Sequence, residues 1–248
     1  MNILLIRAKP TFMDMIVGIP IGLAYVAPMA ERRGHHVEIL DLALETEPEP
    51  VLISKLKERK WDLVGLSCMT PEFEGAEFTA RRIKEFDPSL PILFGGQHPT
   101  IVPEEVVSQD FCDFVCIGEG EETFQEFVDA WSSGGDLSQV AGLAFKESNG
   151  QIKRTGPRPL IADVDEIPMP AYHLLDMDRY AEADSARYPP KYKRAIQIFT
   201  SRGCPWHCTY CHDLFGKQFR GRGPENVLEE IKLLYEKYRI QEFMVEDD

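Results

Sequence analysis

Apolar residues along the first part of the chain come in short runs separated by stretches of helical period. Asn2–Ile6, His36–Leu40, Asp62–Ser67, Pro91–Phe94 and Asp113–Ile117 are mostly apolar and rich in β-branched residues, as expected of strands buried on both faces. Between them, Ile21–Arg33 is ended by Gly34 and is followed further on by Val51–Arg59; both read as helices. After the third strand, Thr70-Pro71 is expected to cap a helix with proline at its first position. Phe73, Ala76, Ala80 and Ile83 then share one face. Phe124, Phe127, Val128 and Trp131 do the same after the fifth strand. Strands alternating with helices predict an α/β fold, a doubly wound parallel sheet of the Rossmann type covered on both sides. Right-handed crossovers favour the flavodoxin-like strand order 2-1-3-4-5. Ala141–Arg154 reads as a hairpin around Asn149-Gly150.

The pattern then changes. Between Gly156 and Arg194 lie Pro157, Pro159, Pro168, Pro170, Pro189 and Pro190, with no sustained period, which predicts an extended, stiffened connection. Its apolar members Ile167, Met169, Tyr172, Leu174 and Leu175 are expected to pack over a surface, and His173 to be structural. Ala195–Thr200 reads as a strand. Beyond it comes a helix with Val227, Leu228, Ile231, Leu234 and Tyr238 on one face, with Pro224 near its start. Gln241–Val245 is a further strand, ending in Glu246-Asp247-Asp248. The expected organisation is a domain over 1–155, a linker over 156–194 and the start of a second domain over 195–248.

Composition narrows the functions. The 248 residues carry a formal net charge of −14, the wrong sign for nucleic-acid binding through phosphate neutralisation. The uncharged stretch Met15–Ala30 is broken by Gly18, Pro20, Gly22 and Pro28 and is too short for a membrane span. No secretory signal opens the chain, so a reducing cytoplasm is the expected location. Of six cysteines, Cys68, Cys112 and Cys116 lie in apolar strand contexts, as buried free thiols do.

The other three carry chemistry. Cys204, Cys208 and Cys211 form a Cys-x-x-x-Cys-x-x-Cys motif within Thr200-Ser-Arg-Gly-Cys-Pro-Trp-His-Cys-Thr-Tyr-Cys-His212. A four-iron cluster ordinarily takes four cysteines; three leave one iron open, the mark of a reactive metal site. The competing reading is structural zinc with His207 or His212 as fourth ligand, although no second ligand pair follows. Arg220 and Arg222 read as a solvated basic loop or as groups that steer an anion. In the first domain, ligands of such sheets sit outside the carboxyl ends of the strands. That edge carries Ser67 to Thr70, Gly95 to Thr100 and Gly118 to Glu121, with glycines that let a flat ligand approach the backbone. A nicotinamide dinucleotide is disfavoured: Arg7–Ile16 holds no glycine where the fingerprint needs three, and Asp41 after the second strand is a weak match alone.

Pro20-Ile-Gly-Leu-Ala-Tyr, Gly95-Gly-Gln-His-Pro-Thr and Cys116-Ile-Gly-Glu-Gly-Glu, taken in order, resemble the amino-terminal domain of cobalamin-binding radical S-adenosylmethionine proteins over nearly all of residues 1 to 150. The resemblance implies cobalamin at the carboxyl edge, lined by Ser67, Thr70, Gly95, Gly96, Gly118, Glu119 and Gly120. One departure is plain. Where many cobalamin domains carry Asp-x-His-x-x-Gly, this chain has Asp14-Met-Ile-Val-Gly18 without histidine, so the lower face of the cobalt is expected to be open or weakly met. His98 is a cofactor-side candidate, with a hydrogen-bonding or solvated histidine as the plainer reading. By the same resemblance, Cys204, Cys208 and Cys211 ligate a [4Fe–4S] cluster. S-adenosylmethionine chelates the open iron and is cleaved to a 5′-deoxyadenosyl radical by one electron. Tyr210 stands where the family carries an aromatic, and Glu246 and Asp247 meet the S-adenosylmethionine amino group. The implied enzyme transfers a methyl group to an unreactive carbon of a small-molecule substrate, served by a one-electron donor such as flavodoxin or ferredoxin. Cyclisation or rearrangement is the alternative outcome, and a non-catalytic cobalamin-binding module the alternative class. Residues 195–248 supply only the first strands and helix of an incomplete (β/α) radical SAM barrel, so the sequence is expected to be a fragment of a longer protein.

Overall fold

The computed structural model describes residues 1–11, 18–182, 194–211 and 214–247. Asp14, Pro189, Pro190, His212 and Asp248 therefore lie outside the described residues. In chain order the elements are β1 (Asn2–Arg7), α1 (Ile21–Glu31), β2 (His36–Asp41), α2 (Pro48–Glu58), β3 (Leu63–Ser67), α3 (Phe73–Phe86), β4 (Ile92–Gly95), α4 (Gln97–Ile101), α5 (Pro103–Ser108), β5 (Phe114–Cys116), α6 (Gly120–Ser133), β6 (Leu143–Lys146), β7 (Ile152–Arg154), α7 (Met177–Glu182), β8 (Ala195–Ile198), β9 (Ser201–Arg202), β10 (Arg220–Gly221), α8 (Pro224–Tyr238) and β11 (Glu242–Val245).

The main sheet runs β2-β1-β3-β4-β5-β6-β7. Its first five strands are parallel, in the flavodoxin-like order. The sheet is mixed because the Asn149-Gly150 hairpin does not stand apart: β6 pairs antiparallel with β5, and β7 with β6. Alternation along β1 divides the core. Leu4 and Ile6 join Leu52, Leu56, Ala76, Ala80 and Ile83 on the α2–α3 face. Ile3 and Leu5 join Leu23, Ala27, Phe124, Phe127 and Val128 on the α1–α6 face, since successive side chains of a strand point to opposite faces. Each fully buried Leu, Ile, Val or Phe side chain among these contributes about 1.5–3 kcal/mol relative to exposure.

Three local expectations need correction. Thr70 is not the cap but the first residue of a short 3₁₀ turn, Thr70–Glu72, with Met69 at the cap position and the Glu72 carboxylate accepting from the Met69 amide at 2.8 Å. Trp131 does share the face of Phe127, on which it stacks at 6.1 Å, but it is 37% exposed and not buried with it. On α8 Leu234 is buried and Ile231 and Tyr238 pack partly buried beside it, as expected, but Leu228 is exposed and Glu230 is buried instead.

The connection packs down as its apolar residues indicate. Val164, Ile167, Ala171 and Tyr172 are buried, the Ala171 amide donates to the Ala24 carbonyl at 2.8 Å, and the Tyr180 hydroxyl on α7 donates to Asp41 at 2.5 Å. His173 meets Glu31 at 2.9 Å. Beyond it, β8 and β11 pair in parallel with α8 as their crossover, and the two-residue strands β9 and β10 pair antiparallel. Tyr172, Tyr180, Ile196, Ile198, Leu234 and Ile240 form a third core that joins the connection to this unit. Among the described residues, no helix is long and apolar enough to cross a membrane.

Candidate functional site

The ends of β1, β3, β4 and β5 open onto a cavity of about 430 Å³ with largely apolar walls. Ser67, Gly95, Gly96, Gly118, Glu119 and Gly120 all line it, together with Gly22 and Tyr25 of α1 and Leu5, Leu93 and Phe124 beneath. The glycines shape it. A Cβ added at Gly22 or Gly118 would meet nothing within 4 Å, and one at Gly95 would lie 3.9 Å from its nearest neighbour. Side chains there would stand in the cavity and fill it. Gly96 is required for another reason: its φ is +95°, and a Cβ would sit 2.7 Å from the Cys68 carbonyl oxygen. Such a slot, apolar and bordered by backbone, suits a flat group and not a highly charged one.

Thr70 and His98 stand beside this cavity rather than in its wall. His98 Nδ1 is 3.2 Å from Thr70 Oγ1, and its ring lies 4.2 Å from that of Phe73. Burial lowers the His98 pKa below the ordinary value, which favours the neutral ring.

Glu119 reaches the wall with its carboxylate already engaged. It accepts from the Ile161 amide at 2.8 Å, from Arg202 at 3.0 Å and from Arg220 at 3.0 Å, and its side chain is only 2% exposed. Burial works against its charge, yet the hydrogen bond from Arg220, with those from Ile161 and Arg202, holds its pKa below the ordinary value. Arg220 also donates to the carbonyls of Ile161 and Phe215. The solvated basic loop expected at Arg220 and Arg222 is thus corrected: Arg220 is buried against Glu119, and the Arg222 side chain, only 7% exposed, pairs with Glu230 and Asn226. Arg202 pairs with Glu121 as well, at 2.5 Å. Desolvation opposes its charge, but the two glutamates raise its pKa above the ordinary value. Glu121 belongs to the edge expected to face a ligand, whereas Arg202, Tyr25 and Phe215 were not among the sequence candidates. The signal available was the arginine just ahead of the cysteine motif and the paired acids of Gly-Glu-Gly-Glu.

The cysteine loop leaves from β9. Cys204 is partly exposed, and Cys208 and Cys211 are exposed. A turn joins the last two, with the Cys211 amide donating to the Cys208 carbonyl at 3.2 Å. Tyr210 is 90% exposed. Among the described residues, no three histidine, cysteine or acidic side chains converge on one point: the thiols share a loop without sharing a centre. Their chemistry fits an iron–sulfur cluster, since three soft thiol donors come from one accessible loop. At the end of β11, Asp247 ties the loop's root, accepting from the Thr200 amide and hydroxyl and from the Ser201 amide. Burial opposes its charge, and the bonds from Thr200 and Ser201 outweigh that and lower its pKa. Glu246 is exposed.

Comparison with known proteins bears on the part of the chain that forms this cavity. Residues 16–128 match the B12 binding domain. This part of the chain is a B12-binding domain. An uncharacterised methyltransferase of Pyrococcus horikoshii is 39% identical over 93% of this chain and 49% of its own length. The anaerobic magnesium-protoporphyrin IX monomethyl ester cyclase of Rubrivivax gelatinosus is 29% identical over 92% of this chain and 41% of its own length. The radical S-adenosylmethionine methyltransferase TsrM of Kitasatospora setae, solved with cobalamin and a [4Fe–4S] cluster, superposes on all of this chain with a TM-score of 0.74 at 21% identity, covering 47% of that chain; this likeness concerns the fold. The chain spans about half the length, or less, of the curated relatives it matches. Gly22, Gly95, Gly96, Gly118 and Gly120 of the cavity wall all fall within the matched residues, and their open backbone walls fit a flat corrin ring.

Proposed function

We propose that this chain holds cobalamin in the glycine-lined cavity and a [4Fe–4S] cluster with S-adenosylmethionine at the Cys204–Cys211 loop, and serves radical methyl transfer to an unreactive carbon. One observation carries the reading. Phe199, Ser201, Arg202 and Phe215, which flank the cysteine motif, line the same cavity as Gly95, Gly96 and Gly118, so the two sites share a wall. Bound together, the cluster and cobalamin would supply one-electron cleavage of S-adenosylmethionine and a transferable methyl group.

The protein's own part is to place and enclose. Gly22, Gly95 and Gly118 leave room for a planar ring, and Leu5, Leu93 and Phe124 keep water from beneath it. Cys204, Cys208 and Cys211 would hold the iron and leave one position open. Asp247 fixes the strand end from which the loop departs, and Glu246, exposed beside it, is the acid left to meet an amino group. A small-molecule substrate and a flavodoxin- or ferredoxin-type electron donor complete this reading. Ring closure, the activity named for the Rubrivivax relative, is the competing outcome.

Anaerobic reconstitution tests it. About four irons per chain are expected; Cys204→Ala should lose the iron and keep cobalamin, and Gly95→Leu should do the reverse. Stoichiometric zinc without iron, or no cobalamin uptake, would refute it. Product analysis with a labelled S-adenosylmethionine methyl group separates transfer from ring closure.

A further inference from the structure

Arg202 is where the two halves of the site touch. Its guanidinium donates to Glu119 at 3.0 Å and to Glu121 at 2.5 Å. It lies 5.2 Å from the ring centre of Tyr25 and 5.8 Å from that of Phe215, and it forms part of the cavity wall. Cys204 is two residues further on. Between them Gly203 has φ +83°, and a Cβ there would stand 2.3 Å from the Gln218 carbonyl oxygen, so the step from Arg202 to Cys204 is held in a conformation that glycine alone accommodates. On the other side, Glu119 and Glu121 flank Gly120 where the Gly118 loop enters α6, and both glycines line the cavity. A group filling the cavity therefore bears on the acidic loop and on the arginine together. With Arg202 14% exposed and its two partners 2% and 6%, solvent cannot replace a lost partner, and a shift of one end carries the other.

We propose that Arg202 is a positioning residue that couples occupancy of the glycine-lined cavity to ordering of the thiol loop, so that cobalamin and the iron–sulfur cluster each bind more tightly when the other is present. This rests on the function proposed above. Linkage makes the effect reciprocal, and site-to-site coupling of this kind is typically about 5–150-fold in affinity.

The test titrates the whole chain with hydroxocobalamin, read by visible absorbance, before and after cluster reconstitution, with iron counted at each point. In the wild type the dissociation constant should fall at least about fivefold when the cluster is present. Arg202→Met should bring the ratio to about one while both cofactors still bind, because the ion pairs that transmit the effect are gone. Arg202→Lys should restore part of it, as a point charge can meet one acid but not fork across two. A wild-type ratio of one, or a wild-type-sized ratio in Arg202→Met, overturns the proposal while the two-cofactor reading stands. Absence of cobalamin or of iron in the wild type removes that reading, and the proposal falls with it. Should Arg202→Met fail to fold, Glu121→Gln carries the test, because it weakens one ion pair and keeps the bond to Glu119; a reduced ratio supports the coupling and an unchanged one overturns it.

Discussion

Glu230 on α8 is 1% exposed and accepts hydrogen bonds from the Tyr172 hydroxyl and the Arg222 guanidinium. It fastens the connecting segment to the helix between β8 and β11. Glu230→Ala would leave Arg222, whose side chain is 7% exposed, without a counter-ion and bonded only to neutral acceptors, Asn226 and the Phe199 carbonyl, a change that costs about 3–5 kcal/mol. The Tyr172 hydroxyl would also lose its acceptor, at about 1–3 kcal/mol. The two losses share one carboxylate and overlap, so we expect about 4 kcal/mol in total. With a urea m-value near 3 kcal/mol/M, that lowers the unfolding midpoint by about 1.3 M. The assay is urea denaturation followed by far-UV circular dichroism, with limited proteolysis to locate the opened segment. Replacing the pair together, Arg222→Met with Glu230→Leu, removes the desolvation cost along with the attraction and should stay within about 2 kcal/mol of wild type. A single mutant that costs under about 1 kcal/mol, or a double mutant as damaging as the single, would refute the assignment of a buried, charge-dependent fastening.

Other outcomes follow from the same structure. Native protein treated with iodoacetamide near neutral pH should take label at Cys204, Cys208 and Cys211 only, because burial pushes the Cys112 and Cys116 thiols up to about 12 and raises Cys68 as well; mass spectrometry should show all six labelled after unfolding. Gly22→Ala should raise stability by about 0.5–1 kcal/mol through helix propensity yet weaken cobalamin binding in a visible titration, whereas Gly75→Ala, whose Cβ would meet the Lys9 carbonyl oxygen at 2.1 Å, should lose about 1–3 kcal/mol or more in a urea melt. Burial first, and then Glu230, raise Tyr25 from 10.0 to about 12. Its contribution should be whole below about pH 10 and lost as pH rises through about 12, measured as the denaturation midpoint against pH. Glu119 works in the opposite sense: its folded pKa is depressed, so its contribution is present above the ordinary glutamate value and is lost as pH falls through the folded one, and Glu119→Gln should flatten that acid limb.

Much of this molecule was legible before folding was considered. Apolar runs of strand length and amphipathic stretches of helical period are local signals, so they fixed the five parallel strands, their order and the edge at which a ligand sits. Ser67, Gly95, Gly96, Gly118 and Gly120 followed from that edge, since residues just past parallel strands converge there whatever the side chains elsewhere. The thiol motif was also local, carried by Cys204, Cys208 and Cys211 in one loop. What only the tertiary structure decided is partnership across the chain. Glu119 looked like a ligand-facing acid and Arg220 like a solvated base. They meet because the chain brings positions 101 residues apart into one buried contact, as it does for Arg202 and Glu119 across 83. A charged residue has the same local signature whether it faces water, a cofactor or a buried partner, because periodicity records which side of an element is apolar and not what lies opposite. Only the packing of the connecting segment and the cysteine loop onto the carboxyl edge of the sheet settles which of these a charge will find.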